Sequence, residues 1–89
     1  MINNLILAGK IKSKDLQENY FTLKVKRSYK NNKGFFDYDE IICFLWNGFV
    51  KESLSYYKEN EIVIIKGRIE VDEKMIVVAE RIETLKKAN

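Results

Sequence analysis

The 89-residue sequence contains no histidine and only one cysteine, Cys43. The chain therefore cannot build a zinc site from cysteine and histidine, an internal disulfide, or a nucleophile activated by histidine. Its four glycines occur singly, so there is no glycine-rich loop of the type that binds phosphate groups. Carboxylates remain as an alternative enzyme site, but the short acidic run at residues 37–40 is of a kind that water usually solvates. We expect a protein that is not an enzyme and that needs no metal and no cofactor.

Long apolar runs and proline are also missing. No apolar segment approaches the roughly 18 residues that a membrane-spanning helix requires, and the first residues do not resemble a signal peptide. At 46% hydrophobic and 33% charged residues, the composition is typical of one small globular domain. We expect a cytoplasmic protein without a membrane partner. We also expect a single domain over residues 1–86, followed by a short end, residues 87–89, without an acidic tail.

Positive charge is concentrated in one segment. Between Lys10 and Lys33 the chain has eight basic and two acidic residues, a net charge of +6, while the remainder carries −3. Such a segment attracts polyanions and speeds their arrival, although an ordinary solvated lysine surface is the alternative. Charge alone therefore does not decide whether the chain binds nucleic acid.

Apolar and polar residues alternate in a way that predicts five strands. The predicted strands cover residues 5–11, 20–29, 35–46, 61–71 and 75–85, with a loop at residues 13–19. In the second strand one face is apolar and the other is polar and basic, which is typical of a half-buried strand. In the third, Cys43 is in phase with Ile41 and Leu45, which predicts an inert core thiol.

A short helix is predicted between the third and fourth strands. Asn47 can cap its start, and Val50, Leu54 and Tyr57 then form one apolar stripe that ends near Lys58. Glycines at 9 and 67 lie inside strands, where they often mark the bends of a small barrel. The predicted fold is all-β with one helix. Its order, three strands, a helix and two strands, is that of the five-stranded oligonucleotide/oligosaccharide-binding (OB) barrel.

Five short motifs are spread over most of the chain. They are MINNLILAGKI at residues 1–11, FTLKV at 21–25, DEIICFLW at 39–46, GRI at 67–69 and VVAE at 77–80. Together, and in this order, they resemble the motifs of the bacterial single-stranded DNA-binding protein (SSB) family. A smaller relative, the dimeric primosomal replication protein N, has the same fold. The resemblance implies sequence-tolerant binding of single-stranded DNA in replication, repair, recombination or maintenance of a mobile element.

The resemblance also implies where the DNA binds. Such proteins combine aromatic side chains, on which bases stack, with a basic groove along the phosphates, as SSB proteins themselves illustrate. Trp46 and Tyr29 fall at stacking positions of the family. The full set of predicted stacking residues is Trp46, Tyr29, Phe44, Phe35 and Tyr38. The predicted phosphate contacts are Lys24, Lys26, Arg27, Lys30, Lys33 and Lys10.

These assignments have structural alternatives. Trp46 and Phe44 can pack beneath the helix, and Phe35, Phe36 and Tyr38 can fix a hairpin instead of binding bases. Alternation alone places Tyr29 with the core residues, so its role requires that the second strand extend beyond the barrel.

Two features depart from the family pattern. Glu40 stands where the family commonly has an aromatic residue, so one stacking platform is lost and its charge is expected to repel phosphate. The last hairpin, around residues 72–74, is several residues shorter than the family's basic DNA-wrapping loop. We therefore expect fewer nucleotides to be covered per subunit than in a full-length relative.

The first strand has two apolar faces. Leu5, Leu7 and Ile11 can fill the barrel, which leaves Ile6 and Ala8 as a second face on what we expect to be an uncovered edge strand. We predict a homodimer, or a dimer of dimers, through this strand, as the resemblance also implies. An alternative function is a dimeric OB-fold module that binds a replication or recombination protein and has weak nucleic-acid affinity. RNA binding on the same surface is a third alternative.

Overall fold

Five strands close into a barrel in the computed structural model, which describes residues 3–46, 52 and 54–84. The strands are β1 (Leu5–Asp15), β2 (Tyr20–Lys30), β3 (Phe36–Leu45), β4 (Ile62–Asp72) and β5 (Lys74–Thr84). Around the barrel their order is β1-β2-β3-β5-β4, and β4 pairs with β1. β3 and β5 are parallel, whereas the other neighbouring pairs are antiparallel. Within the described residues, no helix is long and apolar enough to cross a membrane.

All five strands predicted from the sequence are present. The main difference concerns β1, which continues to Asp15 although the sequence predicts a loop from Ser13 onward. The register with β2 shifts between Ile11 and Ser13, and pairing then continues to the end of β1. Such a bulge lets polar residues follow an apolar strand without ending the ladder, and a search for apolar alternation does not detect it.

The predicted helix, Asn47 to Lys58, lies partly outside the described residues. Glu52, Leu54 and Ser55 have helical backbone, and Leu54 is completely buried in the core. The backbone N–H of Tyr57 donates to the carbonyl of Leu54 at 3.1 Å, and the chain is no longer helical from there. This i to i+3 bond tightens the last turn and ends it before the predicted position.

The inward faces of the strands form one apolar core. Its largest completely buried side chains are Phe21, Ile11, Leu23, Leu54, Ile65, Val63 and Cys43. The alternation in β2 is confirmed, because Phe21 and Leu23 are buried while Lys24 and Lys26 are exposed. Burial raises the pKa of the Cys43 thiol to about 12, which keeps it protonated and unreactive.

Two glycines allow strands to approach closely. A Cβ atom at Gly9 would lie 2.5 Å from the carbonyl oxygen of Lys24, and one at Gly67 would collide with the carbonyl oxygen of Val78. The interior positions of these glycines therefore reflect backbone contact between neighbouring strands, and a side chain at either one would push the strands apart.

The two halves of β1 have different partners. Leu5 to Lys10 pairs with β4, whereas Lys10 to Asp15 pairs with β2. Among the described residues, β2 beyond Lys24 pairs with β3 alone. Residues 25–39 therefore extend from the barrel as a two-stranded ribbon, which we call the β2–β3 ribbon.

Candidate nucleic-acid interface

The outward side chains of β2 and β3 form one continuous surface, which we call the β2–β3 face. It consists of Tyr20, Thr22, Lys24, Lys26, Phe36, Tyr38, Glu40, Ile42 and Phe44, with Trp46 directly after β3. In the register, Tyr20 lies opposite Phe44 and Lys26 lies opposite Tyr38. Side chains alternate between the two faces of a strand. Because Phe21 and Leu23 point into the core, their neighbours along β2 point outward onto this face.

Lysines lie directly over aromatic rings on the β2–β3 face. The Nζ of Lys24 is 4.6 Å from the ring centroid of Tyr38, and the Nζ of Lys26 is 4.6 Å from that of Phe36. Lys30 also lies over Phe36, at 5.7 Å. Both rings are exposed. The β2–β3 face thus brings cationic groups and flat apolar rings close together. These are the two components that proteins use to bind single-stranded nucleic acid.

Asparagine organises the tip of the ribbon. The Asn31 side-chain oxygen accepts bonds from the backbone N–H groups of Lys33 and Phe35, at 2.9 and 3.1 Å. Its amide nitrogen donates to Asp37 at 3.1 Å, and Gly34 adopts a φ of 85°, which favours glycine. This tip leaves Phe35 and Lys33 exposed, away from the barrel.

Tyr29 lies where the register of the ribbon is irregular. The regular pairing of β2 with β3 ends at Lys26 and resumes at Lys30, opposite Phe36. Tyr29 falls within this interval and is exposed. The extension of β2 beyond the barrel, on which the stacking role of Tyr29 depends, is therefore present, although the role itself remains a prediction.

Arg27 lies on the opposite side of β2 from Lys24 and Lys26. Its guanidinium forms two bonds with the Asp39 carboxylate, at 2.8 and 3.1 Å. The bonded guanidinium holds the pKa of Asp39 below its usual value, and the same pair raises the pKa of Arg27. The positive charge of Arg27 is therefore already offset by a partner, which separates it from Lys24 and Lys26.

Glu40 is also paired. Its two carboxylate oxygens accept bonds from the Nζ of Lys12 at 2.6 and 2.8 Å, which places a cation from β1 beside the β2–β3 face. The expected repulsion between Glu40 and phosphate is therefore offset by Lys12.

The end of the β2–β3 face near Trp46 has a different construction. The backbone N–H of Trp46 donates to the carbonyl of Ala79 at 3.0 Å, and the residue is 53% exposed. The guanidinium carbon of Arg68 lies 4.3 Å from the centroid of its ring. Nearby, the rings of Phe44 and Tyr20 pack with their centroids 5.9 Å apart. Phe44 is half-buried, so Trp46 presents more of its surface to solvent.

Two open depressions flank this face. One, of about 460 Å³, lies where β1 and β2 diverge and is lined by Ala8, Gly9, Lys10, Lys24, Lys26, Tyr38 and Ile62. The other, of about 300 Å³, is mainly apolar and is lined by Glu40, Ile41, Ile42, Phe44, Lys74, Met75, Ile76 and Val77. Lys10 thus joins Lys24 and Lys26 in one basic depression, whereas Met75 and Ile76 extend the apolar surface beside Phe44.

A second exposed apolar surface lies on β1 and β4. Ile6 is 69% exposed and Ala8 is also exposed. In the register with β4, Ile64 lies opposite Ala8, and Ile62 lies opposite Lys10. The expectation of a fully uncovered edge strand is wrong, because β1 pairs with β4 and then with β2 to close the barrel. Among the described residues, the first half of β1 pairs with β4 alone, so the side of that half turned away from β4 is unpaired.

Arg68 contacts the β2–β3 face at Trp46, and the sequence pattern does not identify it as a neighbour of that face. It occurs in the motif GRI, and alternation from the buried Val63 and Ile65 predicts that it points outward. Its contact with Trp46 joins β4 to the end of β3 across β5, and such a long-range pairing has no signal in the local pattern.

No protein-family model matches the chain. Single-stranded DNA-binding protein 1 from Streptococcus pyogenes serotype M18 is 33% identical over 79 residues, which are 79% of this chain and 60% of that protein. Single-stranded DNA-binding proteins 3 and 1 from two Streptococcus agalactiae strains are similar at 33% and 32% identity. The chain spans no more than 60% of the length of these relatives.

Solved structures share the fold. The mitochondrial single-stranded DNA-binding protein Rim1 of S. cerevisiae superposes with a TM-score of 0.77 at 12% identity, covering 99% of both chains. A small single-stranded DNA-binding protein from Mycoplasma pneumoniae gives a TM-score of 0.64 at 17% identity, covering both chains completely. The five-stranded barrel described above thus has the OB fold.

Proposed function

We propose that this chain, which belongs to the single-stranded DNA-binding protein family, binds single-stranded DNA on the β2–β3 face without catalysing a reaction. The observation that carries the proposal is the contact of Lys24 and Lys26 with exposed aromatic rings on the outer surface of β2 and β3. Oligonucleotides bind OB folds on this same pair of strands.

In the proposed complex, bases stack on the rings and lysines contact the phosphates. Tyr38 and Trp46 offer the most exposed rings on the face itself, while Phe44 and Phe36 are more covered. A lysine above a ring needs only a small movement of its flexible side chain to meet the phosphate next to a stacked base. Stacking and phosphate contacts do not read the edges of the bases, so binding is sequence-tolerant.

The remaining predicted residues divide by position. Lys10 lines the basic depression with Lys24 and is proposed as a phosphate contact. Lys30, Lys33, Tyr29 and Phe35 lie towards the tip of the ribbon and are proposed to extend the path for a longer strand. Arg27 is proposed to support the ribbon through Asp39 and to contribute less to phosphate binding.

The apolar surface on β1 and β4 is proposed as an interface between copies of the chain. Ile6 and Ala8 form its centre, and burying exposed apolar side chains favours association. The unpaired side of the first half of β1 also presents backbone groups to which a second copy can add a strand. A homodimer, or a dimer of dimers, is the proposed assembly.

The wider role is proposed from the family. Replication, repair, recombination or maintenance of a mobile element in the bacterial cytoplasm are the processes that such binding serves. The proposed domain covers residues 1–86, with a helix between β3 and β4 whose Leu54 fills the core.

The test uses Trp46, the single tryptophan of the chain. Its emission is followed while oligothymidylates of graded length are added at several salt concentrations. We expect strong quenching, and a log–log salt slope of about −0.7 for each phosphate neutralised. Emission and affinity that hardly change would instead favour the protein-interaction module, and competition with matched RNA would reveal a preference for RNA.

A further inference from the structure

Arg68 covers one face of the Trp46 ring. Its guanidinium carbon is 4.3 Å from the ring centroid, a distance at which a cation and an aromatic face attract each other. Given the proposed function, on which this inference rests, we propose that Arg68 is a positioning residue. It fixes the indole with one face covered, so that a base stacks on the other face, and it does not itself contact phosphate.

Two carboxylates hold Arg68 in this position. Its Nη2 is 2.6 Å from the Glu70 carboxylate, and its Nη1 is 2.9 Å from the Glu80 carboxylate. Its Nε donates a further bond to Glu70 at 2.8 Å. The side chain is only 23% exposed, which makes it the most covered basic side chain among the ion pairs of the described residues. The guanidinium is therefore fixed on its edges by carboxylates and on its face by the indole.

The same contacts remove Arg68 from the set of phosphate contacts. Its single positive charge is already matched by two negative ones, so a phosphate that approached it would also approach Glu70 and Glu80. Such a contact would have to break short charge-assisted hydrogen bonds and overcome repulsion between like charges.

The benefit for Trp46 is preorganisation. The backbone of Trp46 is held to β5 by its bond to Ala79, but that bond does not restrict the two side-chain torsions of the indole. Arginine is suited to this restriction because its planar group stacks flat on an aromatic ring, whereas the ammonium of lysine does not. A side chain ordered before binding loses less entropy when a base stacks on it.

The experiment compares Arg68→Gln and Arg68→Lys with Arg81→Gln as the matched control. Arg81 lies on β5 with its side chain 71% exposed, and within the part of the chain that the structure describes it has one ion pair, to Glu83 at 3.6 Å. Acrylamide quenching and anisotropy of Trp46 are measured on the free proteins, and oligothymidylate affinity is measured at several salt concentrations.

Both Arg68 variants are expected to increase acrylamide quenching, lower the anisotropy and weaken binding about 2- to 10-fold with an unchanged salt slope. Arg81→Gln is expected to change none of these. If Arg68→Lys kept full affinity while Arg68→Gln reduced the salt slope by about 0.7, Arg68 would be a phosphate contact. Unchanged quenching in both variants would also overturn the proposal. Acrylamide quenching is measured on the free protein. It therefore tests whether Arg68 positions Trp46 even if the protein proves not to bind DNA.

Discussion

The two ends of the β2–β3 face contain the same type of contact, a cation over an aromatic ring, but the cations differ in their other partners. Towards the ribbon, Lys24 and Lys26 lie over Tyr38 and Phe36, and neither lysine has a carboxylate within ion-pair distance among the described residues. At the other end, two carboxylates fix Arg68 over Trp46. The cations over the rings thus have no carboxylate partner at one end among the described residues, and two carboxylate partners at the other.

This difference follows from side-chain chemistry. Lysine carries its charge on a flexible stem and loses little when it leaves a ring for a phosphate, because an exposed cation–π contact is worth only about 0.5–1 kcal/mol. Arginine with two carboxylate partners would lose several charge-assisted bonds by the same move. The chemistry of the ribbon end therefore suits contacts with the phosphate backbone of DNA, and that of the Trp46 end suits the stacking of one base on a fixed ring.

The largest effect on binding is expected from Trp46→Ala. Loss of one stacked base costs about 1–3 kcal/mol, which weakens affinity roughly 5- to 150-fold. Binding of a labelled oligothymidylate, followed by fluorescence anisotropy, measures this loss. Tyr56→Ala is the control, because Tyr56 is an exposed aromatic residue outside the β2–β3 face. Undiminished affinity in the Trp46 variant would show that the fixed end of the face is not used.

Reversal of charge at the ribbon end is expected to have the next largest effect. Replacing Lys24 and Lys26 by glutamate should weaken binding to all base sequences equally and should reduce the magnitude of the salt slope by about 1.4, for two phosphates. The control replaces Lys66 and Arg81, which are register partners on β4 and β5, by glutamate. If the control pair proved the more damaging, the lysines over the rings would not be the phosphate contacts.

A substitution in the apolar surface on β1 and β4 tests assembly of the protein independently of DNA binding at the two ends of the β2–β3 face. Ile6→Lys places a charge in the exposed apolar surface and is expected to reduce the mass measured by sedimentation at micromolar concentration. Val71→Lys provides the control, since Val71 is equally apolar and exposed but lies near the β4–β5 hairpin. The quenching of Trp46 by saturating DNA should remain. A monomeric wild-type protein, or an Ile6 variant of unchanged mass, contradicts the proposed interface.

Sequence patterns predict most of the barrel because its strands obey a simple alternation. Period two alone predicts that Phe21 and Leu23 are buried and that Lys24 and Lys26, which follow them, are exposed. The bulge after Ile11 and the irregular register near Tyr29 could not be predicted, because each inserts residues without changing local composition.

Prediction of the surface was less complete for a related reason. Aromatic and basic residue types are visible in the sequence, but their pairing is not. The chemistry of Lys24 and Arg27 looks equivalent in the sequence, yet Arg27 is bonded to Asp39 and points away. Likewise, Glu40 looks like an uncompensated charge until Lys12, from another strand, is seen to pair with it. These partners are set by strand register, which local composition does not contain.

The smallest expected effect concerns the Arg27–Asp39 pair, which supports the base of the ribbon. Its bonds lower the pKa of Asp39 in the folded protein, so the pair contributes its full stability above the pKa that Asp39 has in the unfolded chain, about 3.9. That contribution is lost as the pH falls through the lower, folded pKa. Because both side chains are substantially exposed, the contribution is small.

Asp39→Asn should therefore lower the Tm slightly at pH 7, and the difference from the wild-type protein should disappear in acid. Thermal unfolding between pH 7 and pH 2 measures the Tm of the variant and of the wild-type protein at each pH. Asp37→Asn is the control for loss of a neighbouring carboxylate. Asp37 accepts a bond from Asn31 but has no ion pair among the described residues. A Tm difference that persisted below the folded pKa of Asp39 would mean that the ribbon depends on the shape of this side chain and not on its charge. The comparison would then sharpen further, because the ion pairs of Arg68 would hold an aromatic ring at the Trp46 end, whereas the ion pair of Arg27 would not stabilise the ribbon through its charge.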